Sequence, residues 1–217
     1  MNRVIHLLSP SGIIYRLIAI VLMLLCIESK IAAQGAGDYA TLKVINPRYP
    51  DNQLFKTFSR AAYPVAFSLP IGIMAVSLLK EDKRGQQVSY EMMGSLMISA
   101  AATGVIKEVV QRPRPYQRYN DIYPDKWEDG NSFPSGHTSL SFSNATSILL
   151  STEKWYLAAP AYLWACGVGY SRIYLGQHYP SDVIAGAITG AGGAYLAHVI
   201  RKKFFEGPRR RKPVRMP

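Results

Sequence analysis

His178 and Asp182 stand four residues apart in "GQHYPSD", with Pro180 between them. Proline there suits the first position of a helix, which would put Asp182 in the first turn and within reach of the imidazole. A carboxylate on one ring nitrogen fixes the tautomer and leaves the other as a nucleophile or a base. Arg172 lies six residues upstream of His178. The plainer alternative for this stretch is a capping aspartate beside a surface histidine.

Two further clusters carry groups of the same chemical kind. In "FPSGHTS", residues 133–139, Ser135 is a candidate helix cap, and Gly136 lets a ligand approach the backbone. The unpaired N–H groups of a helix start, with the helix dipole, attract an anion, and His137 would sit beside it. An ordinary capped helix with a surface histidine is the alternative. In "KEVVQRPRP", residues 107–115, Lys107 closes a helix that the two prolines cannot continue. Arg112 and Arg114 are thereby held on an extended segment, where they could also simply meet anionic headgroups.

Together the clusters offer three or four cations, a helix-start cradle and two imidazoles. This is equipment for phosphoryl transfer: cations and N–H groups stabilise the equatorial oxygens while positioned groups attack and protonate in line. Two histidines suffice if one is nucleophile and the other general acid. Zinc fits poorly, because only two good nitrogen ligands are present and arginines crowd the place a cation would take.

These residues must be positioned by apolar elements. The chain has 217 residues, 48% of them apolar, and its charged fraction of 18% is below the soluble norm of about 25%. A mean hydropathy of only +0.01 then requires long polar loops between spans. Residues 17–27 form an eleven-residue apolar run, which suits a signal-peptide core; stretched over 13–33 it could instead be a retained first span. Residues 34–60 read as an extracytoplasmic polar loop. Residues 61–79 are an uncharged span candidate with Pro64 and Pro70 as kinks, and 80–87 are a basic turn. Runs at 92–106, 133–152, 155–171 and 183–200 follow. Gly186, Gly190, Gly192 and Gly193 point to close helix packing. Cys26 and Cys166 both lie in apolar stretches and read as small hydrophobes.

Charge sets the topology. With the N-terminus inside, Lys80, Lys83, Arg84 and Lys154 fall inside, as does the tail 201–217 with its eight basic residues. The tail would then fix orientation and touch anionic lipid, which argues against nucleic acid as its partner. The same alternation puts residues 107–133 and 172–182 on the outer side together. Tyr116, Tyr119, Tyr123 and Trp127 in the first of these would anchor at the interface or contact a headgroup.

The pattern Lys, six residues, Arg-Pro, then Pro-Ser-Gly-His, then Ser-Arg, five residues, His, three residues, Asp resembles the type 2 phosphatidic acid phosphatase superfamily. It matches at Lys107, Arg114 and Pro115, at Pro134 through His137, and at Ser171, Arg172, His178 and Asp182, and the likeness covers roughly residues 92–200. The resemblance implies an all-α polytopic membrane bundle of five or six spans, with a core of the vanadium-haloperoxidase and acid-phosphatase type. It also implies a metal-independent reaction without a cofactor, passing through a phosphohistidine. Carried over, His178 is the nucleophile, Asp182 orients it and His137 protonates the leaving oxygen. Lys107, Arg114 and Arg172 bind phosphoryl oxygens, helped by Ser135 and Gly136. Arg112 is not a motif position and stays outside this assignment.

The domain reading follows: a signal peptide or first span at 1–33, an extracytoplasmic segment at 34–60, a membrane phosphatase domain at 61–200, and a basic cytoplasmic tail at 201–217. The expected partners are the bilayer and a phosphorylated lipid, with no obligatory protein partner. The expected location is the inner membrane, with the site facing the periplasm or exterior. The lipid could be undecaprenyl pyrophosphate, phosphatidylglycerol phosphate, phosphatidic acid or lipid A. A secreted acid phosphatase of the same superfamily would carry amphipathic helices in place of uncharged runs. A vanadium haloperoxidase would need a longer chain. A lipid phosphotransferase and a non-catalytic lipid-phosphate binder remain as alternatives.

Overall fold

A computed structural model describes residues 35–204. The expected signal peptide or first span, Cys26 and the tail from residue 205 onward lie outside the described residues. The chain divides into two compact units, Met1–Ala40 and Thr41–Pro217, and the five long helices all belong to the second. Every described element is helical: α1 (Gly35–Ile45), α2 (Gln53–Leu79), α3 (Lys83–Val110), the single turn α4 (Pro115–Arg118), α5 (Gly136–Thr152), α6 (Trp155–Tyr174) and α7 (Pro180–Phe204).

Several boundaries differ from the sequence reading. The segment 34–60 is not a loop: it holds α1 and the first turns of α2. Asn52 caps α2 by accepting from the Leu54 N–H at 3.0 Å. No proline or glycine interrupts residues 53–63, so charge had masked a continuous helix. The expected turn at 80–87 shrinks to 80–82, because Asp82 caps α3 by accepting from the Arg84 N–H at 3.0 Å. Lys107 sits in the last turn of α3; the helix ends at Val110 with Gln111 in the left-handed region, φ 48°, ahead of Pro113 and Pro115.

The helices are inside out by the standard of a soluble protein. α3 buries Ser89, Glu91, Ser95, Ser99 and Thr103 and exposes Met97, Val105 and Val109. α2 buries Ser59, Ala62, Ala66 and Ser77 and exposes Phe67, Ile71 and Leu79. Small and hydroxylic residues at helix contacts with large apolar residues outside are the pattern of a bundle in lipid. α2, α3 and α7 are each long and apolar enough to cross a membrane. α5 is central and packs on α2, α3, α6 and α7. Enclosed by its neighbours, it buries Thr138, Ser139, Ser141, Ser143, Thr146 and Ser147.

Polar pairs join the helices across this core. Thr103 donates to Ser139 at 3.0 Å and Ser99 to Ser143 at 3.1 Å. Pro70 has no N–H for the carbonyl of Ala66 one turn back; Asn144 supplies the donor from α5 at 2.9 Å. Along α7, a methyl group at Gly186 or Gly190 would strike the carbonyls of Ser135 or Ser139 of α5, and one at Gly193 would strike Ser99 of α3. Gly192 faces open space, so it takes no part in the close packing expected of it. Toward the other end of α7, Glu91 is buried between His198, whose Nδ1 lies 2.7 Å from Oε1, and Arg201, which donates to Oε2.

Candidate active site

The turn between α6 and α7 fixes His178. The N–H groups of Gln177 and His178 both donate to the carbonyl of Arg172, at 3.0 and 3.2 Å. Gly176 makes the turn with φ 66°, and a Cβ there would come within 2.7 Å of the Tyr123 carbonyl. Asn46 ties the neighbouring loop to the same turn, donating to the carbonyls of Tyr123 at 2.9 Å and Tyr174 at 2.8 Å.

Asp182 lies in the first turn of α7 and is fully buried. Its Oδ2 accepts from the Tyr179 N–H at 2.9 Å and from the Ser132 hydroxyl at 2.5 Å. Its Oδ1 accepts from Arg112 Nη1 at 2.7 Å, and Arg112 also reaches Ser181 Oγ at 2.7 Å. The Arg112 guanidinium lies 3.8 Å over the Tyr179 ring. His178 Nδ1 is 3.5 Å from Asp182 Oδ2 and 3.3 Å from Ser132 Oγ.

A cationic group borders this pair. Arg172 is fully buried and Arg114 nearly so, and both face one carboxylate oxygen of Glu128, at 2.7 and 3.2 Å. Arg172 also donates to Ser59 Oγ at 2.6 Å, while its Nε has no hydrogen-bond partner among the described residues. Lys107 donates to the Asn131 carbonyl. His137, in the first turn of α5, packs against Tyr63 with ring centroids 4.2 Å apart and planes tilted by 49°. Ser59, Tyr63, Lys107, Arg114, Glu128 and His137 line a cleft of about 560 Å³, within the 300–1,000 Å³ range of small-molecule sites. Among the described residues, no three His, Cys, Asp or Glu side chains gather as metal ligands would.

Burial holds the His178 imidazole well below its ordinary range; the charges of Arg172, Arg114 and Lys107 push the same way and Glu128 opposes them. The ring is therefore neutral at neutral pH and keeps a lone pair. Burial alone would raise Glu128, but the charge and hydrogen bond of Arg172, with the charge of Arg114, outweigh it and hold the carboxyl at about 2.

The structure thus brings Lys107, Arg114, His137, Arg172, His178 and Asp182 to one end of the bundle. Ser135 stands at the expected N-cap position of α5, but its hydroxyl makes no cap bond. It accepts from Thr138 Oγ1 at 3.0 Å, and the Ser135 N–H donates to the Asp182 carbonyl at 3.0 Å. Ser135 is fully buried, so an anion at this helix start would meet the N–H groups of Gly136 and His137 instead.

Sequence reasoning missed three side chains. Arg112 stands outside the motif spacing and so outside the assignment, yet it grips Asp182 while Arg114 faces the cleft, although next-but-one residues of an extended segment usually point to the same side. Ser132 and Glu128 carried no spacing signal at all. Tyr116 also differs from its reading as an interface anchor or headgroup contact: it is buried, donating to the Glu128 carbonyl at 2.8 Å and accepting from the Glu128 N–H at 3.0 Å.

Comparison with known proteins gives this geometry a family. The model of the PAP2 superfamily matches residues 90–206, more than half of the chain. An undecaprenyl-diphosphatase of Sulfolobus acidocaldarius is 31% identical over 134 residues, covering 58% of this chain and 62% of that protein. The crystal structure of Aquifex aeolicus LpxE superposes with a TM-score of 0.60 at 29% identity, over 73% of this chain and 92% of that one. That of the first transmembrane PAP2 type phosphatidylglycerolphosphate phosphatase from Bacillus subtilis gives 0.63 at 24% identity, over 89% and 98%. With its helical membrane fold, its three motif clusters drawn to one end of the bundle and a family match across α3 to α7, this chain belongs to the PAP2 superfamily.

Proposed function

We propose that the protein is a membrane lipid phosphatase whose reaction passes through a phosphohistidine on His178 and needs no metal. The observation that carries this reading is the cleft itself. Lys107, Arg114 and His137 line it at the end of a bundle whose outer surface suits lipid, and behind it lie the buried neutral imidazole of His178 and Arg172, whose Nε has no partner among the described residues. A phosphoryl oxygen would satisfy that donor, and cations fixed in advance favour the charge that develops in transfer.

In this mechanism His178 Nε2 forms a bond to phosphorus as the bond to the leaving oxygen breaks. His137 delivers a proton to that oxygen. Water then attacks the phosphorus, the N–P bond breaks with its electron pair returning to Nε2, and a water proton restores His137. Lys107, Arg114 and Arg172 hold the phosphoryl oxygens, with the Gly136 N–H as a further donor.

The cleft adjoins Tyr63 of α2 and His137 of α5, so a substrate could enter with its chains still in the bilayer. Orientation of this end toward the periplasm or exterior follows from the positive-inside pattern. The relatives' names include an undecaprenyl-diphosphatase and a phosphatidylglycerolphosphate phosphatase. Both kinds of substrate, with phosphatidic acid and lipid A, belong in the test. Purified protein in detergent should release phosphate from at least one of these lipids faster than from a soluble phosphate ester, and turnover should survive chelator. Failure on all four lipids, or a preference for the soluble ester, would overturn the reading.

A further inference from the structure

We propose that the Ser132 hydroxyl, rather than direct contact with Asp182, is what orients the His178 ring. The inference rests on the phosphatase reading and assigns a positioning residue to its nucleophile. Of the two oxygens near His178 Nδ1, that of Ser132 is nearer, at 3.3 Å against 3.5 Å for Asp182 Oδ2. The second distance lies beyond the usual N–H···O range of about 2.7–3.2 Å, and the first stands just outside it; such bonds are often long before substrate arrives.

The carboxylate is already engaged without the imidazole. Oδ2 takes the Ser132 hydroxyl and the Tyr179 N–H, and Oδ1 takes Arg112. The Ser132–Asp182 distance of 2.5 Å is that of a charge-assisted O–H···O⁻ bond. An ionised carboxylate only accepts, so Ser132 must donate its one proton to Asp182. Its oxygen is then left with lone pairs alone, and the only partner Nδ1 can be to it is an N–H donor. This geometry fixes the tautomer: the proton is on Nδ1 and the lone pair is on Nε2.

Ser132 is itself fully buried and held at its backbone, where its N–H donates to the Arg112 carbonyl at 2.7 Å. Arg112 thus sets both ends of the relay, the serine through its backbone and the aspartate through its side chain. When Nε2 bonds to phosphorus the ring becomes a cation that keeps its Nδ1 proton. The Ser132–Asp182 pair stabilises that cation, and no proton leaves it.

The test compares wild type with S132A, S132T and D182N as full-length protein in detergent, on dioctanoyl phosphatidic acid and on the best lipid of the substrate panel. S132A should lower kcat by about 100-fold, as a misaimed nucleophile does, with KM nearly unchanged. S132T keeps the hydroxyl and should recover most of the rate. The S132A/D182N double variant should be little slower than D182N, because both break one chain. Phosphorus NMR of the trapped intermediate should show phosphate on Nε2 in wild type and on both nitrogens in S132A. A folded S132A with wild-type kcat, or losses that multiply in the double variant, would overturn the relay. A wild-type protein that turns over neither lipid would instead sink the phosphatase reading, and the relay with it.

Discussion

Two carboxylates in this molecule are each gripped by an arginine and face an imidazole, and α7 carries the imidazole or the acid of both. Near its start, Asp182 lies between Arg112 and His178; near its end, Glu91 lies between Arg201 and His198. Sixteen residues of helix separate Asp182 from His198, about 24 Å. Both carboxylate side chains are fully buried. The difference lies in what surrounds each trio. His178 shares its neighbourhood with Lys107, Arg114 and Arg172 beside a cleft. His198 has its Nδ1 only 2.7 Å from its acid, and it is not among the residues that line the cleft of Lys107, Arg114 and His137. An acid–imidazole–arginine trio is therefore not evidence of chemistry by itself; an electropositive opening next to it is what makes it a candidate.

The sharpest way to break this comparison is to remove each imidazole. H178A should abolish turnover, because no nucleophile remains, while H198A should keep a rate near wild type; equal losses in a phosphate-release assay would erase the distinction. Next in size are the acids. D182N should fold but lose about 10³- to 10⁴-fold in kcat, the scale seen when the buried carboxylate behind a catalytic imidazole is neutralised, because it removes the charge that ends the Ser132 relay. E91Q should instead cost stability, about 3 kcal/mol for a broken buried pair, with kcat retained. Thermal unfolding and kinetics measured on the same two preparations decide. H137A should slow esters with poor leaving groups more than activated ones; an equal effect across a leaving-group series would remove His137 as the general acid.

The smallest effect is on pH. In the folded chain burial keeps His178 neutral where an unfolded imidazole, at its ordinary value of 6.5, takes a proton. The unfolded state then binds the extra proton, so stability falls as pH drops below that value. Glu128 acts with the same sign at lower pH: its stabilisation is present above the ordinary 4.5 and is lost as pH falls from there through about 2, so it is silent between about pH 7 and pH 5. H178A should accordingly show a flatter decline in melting temperature than wild type between about pH 7 and pH 5.

Much of this was legible in the chain. The spans at 61–79 and 183–200 fall within α2 and α7, because a run without charge leaves few other choices in a membrane. The three motif clusters meet at one end, as strict alternation of loops requires. The helical continuation of α2 back to Gln53 was hidden because Lys56 and Arg60 look like loop residues; Lys56 in fact pairs with Asp125 at 2.8 Å, a partner 69 positions away that local spacing cannot reveal. Glu128 and Ser132 were invisible for the same reason. Their significance comes from where the segment between α4 and α5 folds back, and single-residue chemistry carries no trace of that. Arg112 is the instructive case. Motif spacing excluded it, but a second cation beside two prolines could have been asked which acid it answers.

The bare face of α7 has a consequence for how such a protein can diversify. Because Gly186 and Gly190 rest on the main-chain oxygens of Ser135 and Ser139, α7, which starts two residues after His178, meets the segment bearing His137 with no side chain at those two contacts that could be lengthened or trimmed. The spacing of these two segments is set there by backbone contact. Room for a bulkier headgroup must therefore be carved from the segment between α4 and α5, where Lys126, Glu128 and Gly130 already form the rim. New specificity would be written in that segment while that spacing stays fixed.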